Sequence, residues 1–94
     1  MTPSAVTEAA VPRLGVGVRL HHDAVRDTWG LLAPERLFKL DAQATEIMKL
    51  VDGQRSVAGI VDSLVVRYHA PRDVIARDVC AMLQGLADKN VVHA

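Results

Sequence analysis

Thr28-Trp29-Gly30-Leu31-Leu32-Ala33-Pro34-Glu35-Arg36-Leu37-Phe38-Lys39-Leu40-Asp41 sets the architecture of this chain. Two apolar-rich runs flank Pro34-Glu35, a pair suited to a tight turn because proline presets the dihedral of the second turn position. Residues 28–33 and 36–40 are therefore expected to form two strands of an antiparallel hairpin. Asp41 then changes the pattern. It is a favoured N-cap, and Ala44, Ile47, Met48 and Val51 recur at helical spacing, which predicts a first helix over residues 42–51.

Upstream, Val16, Val18 and Leu20 alternate with Gly17, Arg19 and His21. That period of two predicts another half-buried strand, joined to Thr28 through the polar connection 23–27. Downstream, Asp52-Gly53 closes the first helix. Ser56 caps a second helix to about residue 69, with Val57, Ile60, Val61, Leu64, Val65 and Tyr68 as its apolar stripe. Pro71 suits the first turn of a third helix running to about Lys89, with Ile75, Val79, Met82, Leu83 and Leu86 inward. Asn90 tolerates a left-handed stop, and Val91-Val92 ends the chain as a short strand. Three strands followed by three helices predict an α+β fold, a three-stranded antiparallel sheet covered by helices in a winged helix-turn-helix-like order. Residues 1–11 show no periodicity and are expected to be a flexible N-terminal tail, leaving 12–94 as one domain.

Composition excludes several functions. Eleven basic residues balance eleven acidic ones, whereas nucleic-acid binding draws on a basic surplus. The helix that would enter the major groove offers Arg72, Asp73, Arg77, Asp78, Gln84, Asp88 and Lys89, so its acids repel phosphate as its bases attract it. A winged-helix DNA-binding domain is the alternative reading, and the charge pattern disfavours it. The single cysteine, Cys80, rules out an intrachain disulfide and sits beside an apolar helical stripe, where a packed thiol is expected rather than a nucleophile. His21, His22, His69 and His93 lie in three separate segments without zinc spacing, so scattered surface imidazoles account for them. Asp23, Asp27, Asp73 and Asp78 each have a nearby arginine and read as solvated surface pairs rather than acid–base groups. No glycine-rich phosphate loop occurs. An enzyme subunit with hidden chemistry therefore has no catalytic constellation to rest on. No apolar run reaches the roughly 18 residues of a membrane span, and no secretion signal opens the chain, so a cytoplasmic protein is expected.

A three-stranded meander has open edges to which an extended peptide adds as a further strand. The segment Arg36 to Leu40 alternates apolar and cationic side chains, which fits such an edge. It equally fits an edge guarded by Arg36 and Lys39. The open edge and zero net charge also leave room for a weak homodimer.

A family resemblance separates these readings. Pro12-Arg13-Leu14, Gly17-Val18-Arg19-Leu20, Trp29 and Leu31-Leu32-Ala33-Pro34-Glu35-Arg36 resemble the PqqD family of pyrroloquinoline quinone (PQQ) biosynthesis. Leu40-Asp41, Ile47, Leu50, Asp52-Gly53, Arg55-Ser56, Ile60, Leu64, Tyr68, Asp78-Val79, Leu83 and Leu86 continue the pattern in order. Met82-Leu83 stands where Phe-Leu is usual and Asn90 where Gly is usual. The resemblance implies a peptide chaperone with the fold of a RiPP (ribosomally made, post-translationally modified peptide) recognition element, and no cofactor. It implies binding of the precursor peptide PqqA and its presentation to the radical S-adenosylmethionine enzyme PqqE, which crosslinks a Glu and a Tyr of the peptide. The implied site has Arg36, Leu37, Phe38, Lys39 and Leu40 on the strand side and Val74, Arg77, Asp78, Ala81 and Met82 on the helix side. Lys39 and Arg77 are expected to meet acidic peptide residues, and Leu37 and Met82 to line apolar pockets. The enzyme needs a second surface, for which the second helix and the tail are candidates.

Overall fold

The computed structural model describes residues 6–94. In chain order the elements are β1 (Arg13–Leu14), β2 (Arg19–Asp23), β3 (Thr28–Ala33), β4 (Arg36–Leu40), α1 (Ala42–Met48), α2 (Val57–Tyr68), α3 (Arg72–Asp88) and β5 (Val92–His93). β2, β3 and β4 form an antiparallel meander, and the three helices follow, as the α+β winged-helix-like expectation has it. A second, two-stranded sheet joins β1 to β5, pairing Leu14 with Val92.

The β3–β4 hairpin forms where period two and Pro34-Glu35 place it, with Glu35 taking the positive φ of the turn (63°). Trp29 pairs with Leu40, Leu31 with Phe38 and Ala33 with Arg36. Leu31 is fully buried, so this parity sends Leu20, His22, Trp29, Leu31, Phe38 and Leu40 to the helix-covered face. Arg19, His21, Gly30, Leu32, Leu37 and Lys39 take the other. At Gly30 a Cβ would lie 2.8 Å from the Phe38 carbonyl oxygen and 3.0 Å from Leu37 Cδ1. Gly30→Ala is therefore expected to force β4 outward and cost about 1–3 kcal/mol. A thermal melt reads this; an unchanged melting temperature would show that the strands do not meet as closely as described.

The helices begin as their caps dictate. The Ala44 N–H donates to Asp41 Oδ1 (2.7 Å) and the Gly59 N–H to Ser56 Oγ (3.1 Å). α1 stops at Met48 rather than residue 51, because its last turn tightens: the Leu50 N–H donates to the Ile47 carbonyl and the Val51 N–H to that of Met48. Asp52 then accepts from the Gln54 (2.9 Å) and Arg55 (2.7 Å) N–H groups, which hold its carboxyl below the ordinary value. Pro71 stands at the N-cap of α3, one place before its expected position in the first turn. The core gathers Leu31, Ile47, Met48, Val57, Ile60, Val61, Leu64, Ile75, Val79, Leu83 and Leu86.

Two further expectations change. Gly15–Val18 is a turn rather than a strand: the Val18 N–H donates to the Gly15 carbonyl (3.0 Å), Gly17 takes φ 76°, and Val16 is left exposed. Its strand begins only at Arg19. The expected tail also shortens. Its first five residues lie outside the described ones, but Val6 is buried and its N–H donates to Gln84 Oε1 (2.7 Å). The Glu8 and Ala10 carbonyls accept from Ala58 (3.0 Å) and Val57 (2.8 Å), free donors at the start of α2. Arg72 fastens this segment to both neighbouring helices, binding Glu8 at 2.5 Å and Asp62 at 3.0 Å. No helix among the described residues is long and apolar enough to cross a membrane.

Candidate functional site

The sheet order β2–β3–β4 leaves the outer edge of β4 without a strand partner among the described residues. In a two-residue hairpin the closing pair Ala33–Arg36 is hydrogen-bonded, and the pattern alternates along the strand. Arg36, Phe38 and Leu40 thus spend their backbone groups on β3. Leu37 and Lys39 direct theirs outward, a vacant ladder for one more strand.

Across from this edge stands α3. The Lys89 Nζ lies 5.7 Å from the centroid of the Phe38 ring, and Arg36 Cζ lies 5.9 Å from it. Further along, a cleft of about 790 Å³ opens between Leu40, Val74, Ile75 and Asp78, bordered by Trp29, α1 and Tyr68. Val74, Asp78, Met82, Gly85 and Lys89 follow one another at helical spacing along this side of α3. A Cβ added at Gly85 would meet nothing within 4 Å, so the helix wall is open there. Edge, cleft and helix wall together form a groove with an apolar floor.

The structure separates the residues expected here. Phe38 and Leu40 face α3 and pack partly on the core; Val74 and Asp78 line the cleft, and Met82 is half-buried in the same wall. Arg36 shares their face and lies beside Phe38. Leu37 and Lys39 do not turn toward α3. Their side chains lie on the opposite sheet face in a shallow depression with His21, Gly30 and Leu32. Period two makes this inevitable once Phe38 faces inward, so Leu37 and Met82 share no pocket, and Lys39 and Arg77 share no wall. Arg77 and Ala81 are exposed on the crest of α3, beyond the groove wall.

Several lining residues escaped the sequence reading. Trp29 is sandwiched between the His22 ring, 4.4 Å away by centroids, and Lys49 Nζ at 4.6 Å. Tyr68, assigned to the apolar stripe, is exposed and borders the cleft instead. Gly85 and Lys89 continue the i, i+3/i+4 run from Val74, a signal the sequence does carry. Asp73 and Asp78 form no arginine pair among the described residues; Arg72 turns to Glu8 and Asp62. Burial pushes the Cys80 thiol up from its ordinary pKa, away from nucleophile chemistry. The described residues contain no cluster of three metal-ligating side chains.

Residues 28–92, from β3 to the start of β5, match the family described as coenzyme PQQ synthesis protein D (PqqD). The chain belongs to the PqqD family. It is 46% identical over 91 residues to a PqqA binding protein of Gluconobacter oxydans, covering 97% of this chain and 95% of that one. Among solved structures it resembles the PqqD portion of Methylobacterium extorquens PqqCD, described as a functional, stand-alone RiPP recognition element. That likeness has a TM-score of 0.85 at 46% identity, with both chains fully covered. It also resembles TbiB1 in complex with the TbiA(β) leader peptide, with a TM-score of 0.75 at 26% identity, covering 87% of this chain and 95% of the other.

Proposed function

We propose that this PqqD-family chain is a peptide chaperone of PQQ biosynthesis, holding the precursor PqqA in the β4–α3 groove and presenting it to the radical S-adenosylmethionine enzyme PqqE in the cytoplasm. The observation that carries this reading is the vacant β4 edge beside an apolar groove. An extended peptide bonds through its main chain to Leu37 and Lys39 while its alternate side chains reach Phe38, Leu40, Val74, Asp78 and Met82. The relatives named for PqqA binding and the neighbour bound to a leader peptide support the choice of ligand. The chain itself makes and breaks no bond. Its benefit is effective concentration: a tethered peptide meets the enzyme at roughly millimolar local concentration.

Calorimetric titration with synthetic PqqA tests this. Saturable binding at one peptide per chain is expected, together with faster crosslinking by PqqE when the chain is added. Absence of binding at tens of micromolar by a monomeric sample would sink the proposal.

A further inference from the structure

The two ends of the groove carry opposite charge. We propose that the site thereby selects the order of charges along its peptide: a basic residue first, beside the side chain seated in the cleft, and an acidic residue two or four positions later. This rests on the peptide-binding reading above.

At the cleft end the lining holds three carboxylates, Asp27, Glu46 and Asp78, and one ammonium, Lys49. Glu46 is satisfied twice, by Lys49 at 3.2 Å and by Arg67. Asp27 bonds the His22 Nε2 at 2.9 Å. Asp78 has no ion-pair partner among the described residues, and three carboxylates against Lys49 and Arg67 leave one negative charge at the cleft mouth. At the other end Arg36 and Lys89 flank the Phe38 ring. Neither joins an ion pair among the described residues. Of the acids adjoining them in sequence, Glu35 is exposed in the turn, and Asp88 Oδ1 accepts from Gln84 Nε2 at 2.9 Å.

Spacing and direction follow from the strand. From Arg36 to Leu40 is about 13 Å at roughly 3.3 Å per residue. A peptide paired with β4 presents every second side chain to α3, so its two charges fall two or four positions apart. Every strand pair described in the molecule is antiparallel. A peptide continuing that pattern has its N-terminal end beside Leu40, which places its basic residue at Asp78 and Asp27. Its acidic residue then reaches Lys89 and Arg36. Reversed charges would meet repulsion at both ends, which is discrimination by complementary potential rather than by added area.

A display library of random twelve-residue peptides, selected on the wild type and on the Asp78→Lys/Lys89→Glu variant, tests this. The wild type is expected to enrich basic-before-acidic peptides at even spacing, and the variant the opposite order. A synthetic wild-type-selected peptide should bind the variant about tenfold more weakly. Asp78→Ala alone, a milder change at an exposed site, should lose the preference for the basic residue and keep that for the acidic one. Peptides enriched without charge order, or with the same order on both proteins, overturn this proposal and leave peptide binding standing. A library that enriches nothing on either protein overturns the peptide-binding reading itself.

Discussion

Leu83→Ala is expected to cost about 2–5 kcal/mol, the usual toll of truncating a buried leucine. Leu83 lies on the buried face of α3, is fully enclosed, and ranks with Leu31 and Ile60 among the largest such side chains. Removing its isopropyl group leaves a void where α3 meets the core, and the neighbours close it only in part. A domain of this size commands roughly 5–15 kcal/mol in all, so the variant should sit near the edge of folding. Urea denaturation reads the effect as a lower midpoint with an unchanged slope. A loss below about 1 kcal/mol would show that Leu83 is not a core residue or that the site collapses freely.

Lys39→Pro is expected to lower affinity for PqqA at least about tenfold while the fold survives. The Lys39 N–H points away from β3, so proline removes a donor that the sheet itself does not use. Phe38→Pro is the matching control: its N–H belongs to the β3 ladder, and this variant should lose stability as well. Circular dichroism separates the two, and titration with PqqA reads the affinity. A Lys39→Pro variant that binds as well as wild type would mean the peptide does not extend the sheet at β4.

Much of this architecture is legible in the residues, for identifiable reasons. The β3–β4 hairpin announces itself because Pro34-Glu35 interrupts two alternating runs, and Asp41 and Ser56 cap helices by local hydrogen bonds. The β1–β5 pair is not legible. Two-residue strands carry no period, and Leu14 and Val92 meet only through the closed fold. The docking of Val6 on Gln84 is hidden for the same reason.

The site divides likewise. The free edge at Arg36–Leu40 follows from strand order, but which side chains face α3 depends on the Leu31–Phe38 register. The charges of Lys39 and Arg77 single out positions that turn away from the groove. Val74, Asp78 and Met82 share a helical face that spacing alone reveals, and the same face extends to Gly85 and Lys89. Trp29 and Tyr68 are different: their place at the cleft arises from contacts between distant elements.

The most direct test of the groove is amide hydrogen exchange at Leu37 and Lys39 with and without saturating PqqA. In the free chain both amides face solvent and should exchange rapidly, while Phe38, bonded to β3, exchanges slowly. Strand addition predicts that the peptide slows Leu37 and Lys39 together and leaves Phe38 little changed. Fast exchange at both under saturating peptide would contradict binding at the β4 edge.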